Sequence, residues 1–165
     1  MPSLIKLLTR AACGSAFAIS LSLVAPSAHA QSAPFAGLAG SWSGGGRIDL
    51  QNGTSERIRC RASYAVSASG HTMQQQLRCA SDSYRFEVNS NVESRGGSLS
   101  GSWSELTRNV SGQISGRAAV GRIQARVDAG LFAADLTVHT NGDQQSVAIV
   151  PQGADIRVVA VTMRR

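Results

Sequence analysis

Three arginines alternate along one short segment, at Arg57, Arg59 and Arg61. Successive side chains of a β-strand point to opposite faces, so this spacing places the three guanidinium groups on one face. Arg47 and Arg78 join this cluster when the flanking segments pair with it as hairpins. Arginine matches the geometry of phosphate and carboxylate groups, which predicts an anionic partner such as a lipid phosphate, an acidic glycan or an acidic protein surface. The competing interpretation is a solvated strand face that binds nothing.

The charge balance limits the choice of anion. The 165 residues include 16 basic and 10 acidic side chains, a formal charge of +6, and only 16% of all residues are charged. Lys6 and Arg10 lie in a predicted leader, and the rest of the chain carries 14 arginines and no lysine, a formal charge of +4. This charge is modest for nucleic-acid binding, and no aromatic residues accompany the arginines to stack on bases. We therefore expect no nucleic-acid partner.

Motifs of catalysis and metal ligation are missing from the sequence. The patterns H-x-x-H, H-E-x-x-H and Gly-x-Ser-x-Gly do not occur, and the histidines that follow the leader, His71 and His139, are isolated. The glycines at 44–46 lead into a strand-like segment rather than a helix, so they form no phosphate-binding loop. The sequence predicts a non-enzymatic protein without metal or cofactor. The remaining enzymatic alternative is a carboxylate pair drawn from Glu87, Glu93 and Glu105.

Cys60 and Cys79 are the two cysteines after the leader. If Ser69-Gly70 forms a two-residue turn, opposed residues have numbers that sum to 139, so Cys60 faces Cys79. The spacing of the two cysteines fits neither a zinc site nor a redox motif. We therefore predict a structural disulfide, which stabilises the fold by about 3 kcal/mol through loop entropy. The same register places Arg61 opposite Arg78.

Residues 1–30 have the layout of a cleavable secretory signal. Lys6 and Arg10 form a basic start, an uncharged apolar run covers 11–24, and Ala28-His29-Ala30 supplies a small-residue cleavage site. The apolar run is shorter than the roughly 20 residues of a membrane-spanning helix. We expect cleavage after Ala30 and a periplasmic or extracellular bacterial protein whose mature chain has no transmembrane segment. The alternative is an uncleaved amphipathic anchor.

The rest of the chain is expected to form a short flexible lead over 31–37 and a single domain over 38–165. Apolar and polar residues alternate along this domain, and no helical period is sustained. Clusters of Gly, Asn, Asp and Ser interrupt the alternation at short intervals. This pattern predicts an all-β fold, namely an antiparallel β-barrel or barrel-like sandwich of about 8–10 strands.

The first hairpin requires a register that keeps the apolar residues of both strands on one face. A three-residue loop over 52–54 satisfies this requirement, with Gly53 in the left-handed conformation. It predicts three opposed pairs: Trp42 with Tyr64 inside, and Asp49 with Arg57 and Arg47 with Arg59 outside.

Gly40-Ser41-Trp42 at the start of the first strand resembles the Gly-x-Trp motif of lipocalin and calycin barrels. The resemblance covers about six residues, and the Thr-Asp-Tyr motif of that family is absent. It implies a small secreted barrel in which an arginine near the end of the chain, Arg157 or Arg164, stacks over Trp42. Small envelope inhibitors of hydrolases have a similar barrel, so the resemblance does not select one function.

Aromatic residues are concentrated on the predicted inner face. Core packing explains most of them, whereas glycines and Gln75 on the same face predict a partly open, mildly polar interior. We therefore predict a binding protein that holds a small apolar or amphipathic ligand against Trp42, Tyr64 and Trp103. The alternative is an envelope interaction or inhibitor module that contacts an anionic envelope component through the arginine cluster.

Overall fold

A computed structural model describes residues 33–165, and the predicted leader lies outside the described residues. A short 3₁₀ helix, Ala36–Leu38, precedes ten strands. The strands are β1 Gly40–Leu50, β2 Ser55–Val66, β3 Thr72–Ala80, β4 Arg85–Arg95, β5 Ser98–Glu105, β6 Val110–Ala119, β7 Arg122–Asp128, β8 Ala133–Asn141, β9 Gln144–Gln152 and β10 Ile156–Arg164.

The ten strands form a closed antiparallel barrel in which each strand pairs with its neighbours in the chain. Pairing of β1 with β10 closes the ring, for example at Gly46 and Val161. The predicted all-β barrel is therefore confirmed, with ten strands. The described part of the chain contains no helix of the length and apolarity that crossing a bilayer requires.

Alternation of side chains separates the interior from the surface, as β2 illustrates. Ile58, Cys60, Ala62 and Tyr64 are buried, while the three arginines between and beside them are exposed. Apolar residues at every second position are thus removed from water on one face of each strand, and this burial drives barrel formation.

Glycines allow β1 to approach β10 very closely. A Cβ atom added to Gly46 would lie 1.8 Å from the backbone oxygen of Ala160, and one added to Gly44 would lie 2.0 Å from that of Thr162. Only a residue without a side chain fits at these positions, because real atoms do not approach so closely. The two glycines therefore permit the strongly coiled wall that a small barrel needs.

One end of the barrel is plugged by the N-terminal segment. This plugged end carries the loops after β2, β4, β6 and β8. The backbone N–H of Phe35 donates to the oxygen of Gly70 (3.1 Å), and Phe35 is fully buried together with Leu38. Phe35 belongs to the predicted flexible lead, so the packed core includes residues before Leu38. The loops after β1, β3, β5, β7 and β9 form the opposite end, called the far end below.

Trp42 is fixed from two sides at the plugged end. Its indole N–H donates to the backbone oxygen of Leu38 (2.8 Å), and the guanidinium of Arg165 lies 5.1 Å from its ring centre. An arginine from the end of the chain does cover Trp42, but the predicted choice of Arg157 or Arg164 is wrong. Arg157 is instead paired with Asp49 (3.6 Å) near the far end, and Arg164 is exposed.

The predicted disulfide between Cys60 and Cys79 is confirmed. The two residues are directly opposed on β2 and β3, with a Cα–Cα distance of 4.1 Å, and both are buried. The predicted register of this hairpin is also correct, since Arg61 pairs with Arg78. A buried disulfide is consistent with an oxidising compartment.

The predicted register of the first hairpin is wrong by two residues. Trp42 lies opposite Ala62, not Tyr64, and the outer pairs are Arg47 with Arg57 and Asp49 with Ser55. The loop is displaced by one residue from the predicted 52–54, because Leu50 donates its N–H to the oxygen of Thr54 (2.9 Å) and so leaves residues 51–53 in the turn. Inside this loop, the side chain of Asn52 accepts from the N–H of Thr54 (3.0 Å). Arg59 consequently lies opposite Gly45 rather than Arg47.

Candidate functional site

The three aromatic residues predicted to bind a ligand all lie in the interior, but in two groups. Trp42 and Tyr64 meet edge to face near the plugged end, with ring centres 6.5 Å apart. Trp103 lies toward the far end of β5 and packs against Phe132, at 5.9 Å between ring centres. The interior therefore has an aromatic contact toward each end.

Neutral polar side chains form hydrogen bonds inside the barrel. The hydroxyl of Tyr64 donates to Oε1 of Gln145 (2.9 Å), and the hydroxyl of Ser90 donates to Oε1 of Gln75 (2.9 Å). Gln145 is only 1% exposed. Burial raises the pKa of Tyr64 to about 12, against the opposing effect of its hydrogen bonds to Gln145 and Gln75, so its hydroxyl stays protonated. The sequence indicated Gln75 as an inner residue but did not single out Gln145.

Several apolar side chains face the interior without being fully buried. Leu77 pairs with Val88, and Leu136 with Ile149, on inner positions of their strands. These four residues are only partly buried where they pack against the core. The core residues at the plugged end, such as Phe35, are by contrast completely buried. Complete burial is not confined to the plugged end, since Ile48 and Ile58 toward the far end are also fully buried. Accessible apolar surface remains at the partly buried inner positions.

Trp103 supplies a hydrogen-bond donor that has no partner within residues 33–165. Its side chain is 8% exposed, and its indole Nε1 is buried without an acceptor among the described residues. A buried N–H group without a hydrogen bond is uncommon and costly, and an oxygen atom of water or of a ligand would satisfy it.

Charge is confined to the rim of the interior. The inner positions of the ten described strands include no arginine, and their carboxylates, Glu56 and Glu105, lie next to far-end loops. Glu56 accepts hydrogen bonds from the hydroxyl of Ser81 (2.9 Å) and the N–H of Ser83 (3.1 Å). Hydrogen bonds with these two serines lower the pKa of Glu56.

Glu105 fixes the loop that follows β5. Its carboxylate accepts from the backbone N–H groups of Glu87 (3.0 Å) and Arg108 (2.7 Å) and from the hydroxyl of Thr107. Burial would raise the pKa of Glu105, but these hydrogen bonds outweigh burial and hold the pKa below its ordinary value.

The glutamates considered as a catalytic pair occupy separate environments. Glu87 and Glu93 point outward from β4 and lie near Arg78 (3.8 Å) and Arg95 (2.6 Å) respectively, whereas Glu105 faces inward. Within residues 33–165, no three His, Cys, Asp or Glu side chains come together as a metal site would require.

The five arginines of the predicted cluster share one outer wall, and the structure extends that wall. Arg164 lies beside Ser43, which in turn lies beside Arg61, so β10 contributes to the same surface. Arg85 on β4 and Arg157 on β10 are also exposed on these neighbouring strands. We call the resulting surface the arginine face; it comprises Arg47, Arg57, Arg59, Arg61, Arg78, Arg85, Arg157 and Arg164.

Carboxylates neutralise only part of the arginine face. Asp49 lies within 4.0 Å of both Arg47 (3.0 Å) and Arg157 (3.6 Å), and hydrogen bonds from Ser55 and Arg47 lower the pKa of Asp49. Glu87 approaches Arg78. The other members have no carboxylate within 4.0 Å in the described part of the chain: Arg57, Arg59, Arg61, Arg85 and Arg164.

Two shallow grooves lie on the outer surface, one across β1 to β4 and the other across β8, β9, β10, β1 and the start of β2. One has a volume of about 450 Å³ and is lined by arginines from three strands together with Glu87. The other has a volume of about 710 Å³ and is lined by Arg47, Arg57 and His139 above a floor of small residues such as Ala160. The arginine face therefore offers concave surfaces in which an anionic group can contact more than one guanidinium.

No protein-family model matches the sequence, and a search of curated proteins gives no match. The functional conclusion therefore rests on the fold and on the chemistry of the interior and of the arginine face.

Proposed function

We propose that this protein is a non-enzymatic binding protein that holds a small, uncharged amphipathic molecule inside its barrel. The observation that carries the proposal is the set of inner apolar side chains that keep accessible surface, including Leu77, Val88, Leu136 and Ile149. An apolar ligand that covered them would gain the free energy of removing that surface from water. The unpaired indole N–H of Trp103 supports a ligand that also carries an oxygen atom.

The absence of interior arginine among the described residues favours an uncharged ligand. A buried carboxylate or phosphate without a positive partner costs several kcal/mol. The interior instead offers amide and hydroxyl groups at Gln75, Ser90 and Tyr64. Alcohols, esters and amides with an apolar body match this lining, whereas fatty-acid anions do not.

The calycin-like kinship and the exported location are parts of the same proposal. Gly40-Ser41-Trp42, covered by Arg165 at the plugged end, supports kinship with calycin barrels, which include binders of small apolar molecules. The buried disulfide and the sequence pattern of residues 1–30 support export to the periplasm or beyond.

The test compares 1-decanol with decanoate, which share an apolar chain and differ in charge at neutral pH. A concentration of decanol ten times its Kd stabilises the folded protein by about 1.4 kcal/mol and raises Tm by about 4 °C. We expect this shift, with a change in tryptophan fluorescence from Trp103, for decanol and not for decanoate.

Leu136→Trp fills the interior and should abolish the decanol shift, while Thr137→Trp places the same side chain at the next position, on the outside, and should preserve it. Circular dichroism checks that both variants fold. Equal shifts in the two variants, or a larger shift with decanoate, would overturn the proposal.

We infer a second function for the arginine face, which is contact with an anionic component of the cell envelope. The observation that favours it is the group of five arginines that have no carboxylate of residues 33–165 within 4.0 Å, some of which line the groove of about 450 Å³. Guanidinium groups bind phosphate and carboxylate through paired hydrogen bonds.

A further inference from the structure

Two large apolar side chains stand exposed at the far end of the barrel. Leu131 is fully exposed in the loop between β7 and β8, and Leu106 is 53% exposed in the loop between β5 and β6. These loops are neighbours, because β6 and β7 are paired. Single exposed leucines are ordinary on protein surfaces, but these two flank the end at which inner aromatic residues such as Phe86 and Phe132 are only partly buried. We call the loops of Leu106 and Leu131, together with Phe86 and Phe132 beside them, the apolar rim of the far end.

Hydrogen bonds hold both leucines in this exposed position. In the loop of Leu131, the side chain of Asp128 accepts from the N–H of Gly130 (2.9 Å), and Ala129 donates its N–H to the oxygen of Phe132 (2.8 Å). Phe132 packs inward on Trp103, so the turn separates a buried aromatic residue from an exposed leucine.

The loop of Leu106 is fixed in a similar way. Glu105 accepts from the N–H groups of Thr107 and Arg108, and Leu106 donates its own N–H to the oxygen of Glu87 (2.8 Å). The exposure of the two leucines is thus a property of two ordered turns.

Positive charge adjoins this apolar rim on one side. The guanidinium of Arg108 lies 5.1 Å from the ring centre of Phe86 and donates to the backbone oxygen of Arg85 (3.2 Å). Arg85 in turn lines the groove of about 450 Å³ with other members of the arginine face. The far-end loops carry Asp82 and Asp155 against one arginine, Arg108, a formal charge of −1, so the arginine face beside them supplies the attraction for anions.

We propose that the far end docks on a bilayer that contains anionic lipids. Leu106 and Leu131 enter the boundary between headgroups and hydrocarbon, and Arg85 and Arg108 contact lipid phosphates. A bilayer provides an apolar layer for the leucines and, directly above that layer, negatively charged headgroups for the arginines. The proposal deepens the interior binding function, because docking would bring the end of the barrel that the N-terminal segment does not plug against the phase in which apolar ligands are dissolved.

The experiment measures binding of the ligand-free protein to vesicles of phosphatidylcholine with and without phosphatidylglycerol, by sedimentation. We expect binding to the vesicles with phosphatidylglycerol, weakened by salt, and much weaker binding to phosphatidylcholine alone. The double variant Leu106→Ser and Leu131→Ser should lower binding by about a hundredfold, or about tenfold for each leucine.

Val120→Ser is the matched control, since Val120 is 70% exposed in a turn at the plugged end, and it should bind as the wild type does. A direct readout uses Leu131→Trp, whose fluorescence should shift to the blue on anionic vesicles, while that of Val120→Trp should not. Equal loss of binding in the leucine variant and in Val120→Ser would overturn docking at the far end, as would no loss in either.

A further outcome distinguishes a soluble polyanion from a bilayer. If alginate in solution binds as tightly as the vesicles, and the leucine variants bind both the alginate and the vesicles as the wild type does, the arginine face alone recognises anions and the docking proposal fails. Leu136→Trp, which fills the interior, should still dock, so loss of ligand binding and loss of docking are separately measurable.

Discussion

Glu105 shows how a single side chain determines the shape of the far-end rim. It is only 7% exposed, and it accepts hydrogen bonds from three backbone N–H groups in and beside the loop of Leu106. Arg108 adds an ion pair with it (3.7 Å). A carboxylate is required here because several donors converge on both of its oxygens, whereas an amide offers only one oxygen acceptor.

At this scale we predict that Glu105→Gln lowers the free energy of unfolding by about 2 kcal/mol at neutral pH. The pKa of Glu105 is lowered in the folded protein, so its stabilising effect is fully present above the ordinary value of 4.5 and is lost as pH falls through the lower folded pKa. The difference between wild type and variant should therefore shrink on the acid side.

Urea unfolding at several pH values measures this difference. Glu93→Gln is the control, because Glu93 pairs with Arg95 at the exposed surface and such pairs contribute about 0 to 1 kcal/mol. A difference between wild type and Glu105→Gln that stays constant down to about pH 3 would refute the assigned role.

At the scale of elements, β1 and β10 depend on the absence of side chains at two positions. We predict that Gly46→Ala destabilises the protein by about 3 kcal/mol, because the added Cβ collides with the backbone of β10 at Ala160. Gly37→Ala is the control, since an added Cβ there has no atom within 4 Å, and its effect should stay within about 0.5 kcal/mol. Thermal unfolding of the two variants compares them directly, and equal Tm values would contradict the close approach of the strands.

Alternation predicted the elements well, and their registers only in part. The alternation of apolar and polar residues identified the inner face of each strand and the disulfide. A shift of the strand pairing by one residue would bring polar side chains into the core and is therefore excluded. A shift of two residues preserves parity, so alternation did not distinguish the predicted pairing of Trp42 with Tyr64 from the observed pairing with Ala62. The choice depends on loop hydrogen bonds of Asn52, which no periodic pattern records.

The candidate site was predicted less completely than the fold. Residue types indicated inner aromatic residues and outer arginines. They did not indicate which inner side chains keep accessible surface, because that depends on how the side chains of all ten strands pack together. Arg165 was missed because it follows the last strand, where alternation ends. The exposed leucines of the far end were missed because an isolated apolar residue in a turn has no periodic signal.

At the scale of the whole molecule, positive charge is concentrated on one half of the barrel wall. Eight of the 14 arginines of residues 33–165 belong to the arginine face, on five consecutive strands of the ring that includes β10, β1 and β4. Arg117 and Arg122 lie across the ring on β6 and β7. An anionic surface would therefore orient the protein as well as attract it.

We predict that the double variant Arg59→Ser and Arg61→Ser binds an immobilised sulfated polysaccharide about tenfold more weakly and with a flatter salt dependence. The double variant Arg117→Ser and Arg122→Ser changes the net charge equally and should have a much smaller effect. Surface plasmon resonance at several salt concentrations provides the comparison. Equal effects of the two variants would show that net charge alone governs binding and would contradict a dedicated face.

Closure of the ring by β1 and β10 has a consequence for how the chain reaches its final form. The first strand and the last must meet, so hydrogen bonding around the wall is complete only when the whole segment from Gly40 to Arg164 is available. Until then β1 and the last strand formed each present an unpaired edge, which is a template for association with other chains. The finished barrel has no such edge, and any fragment that lacks β10 should be prone to aggregate.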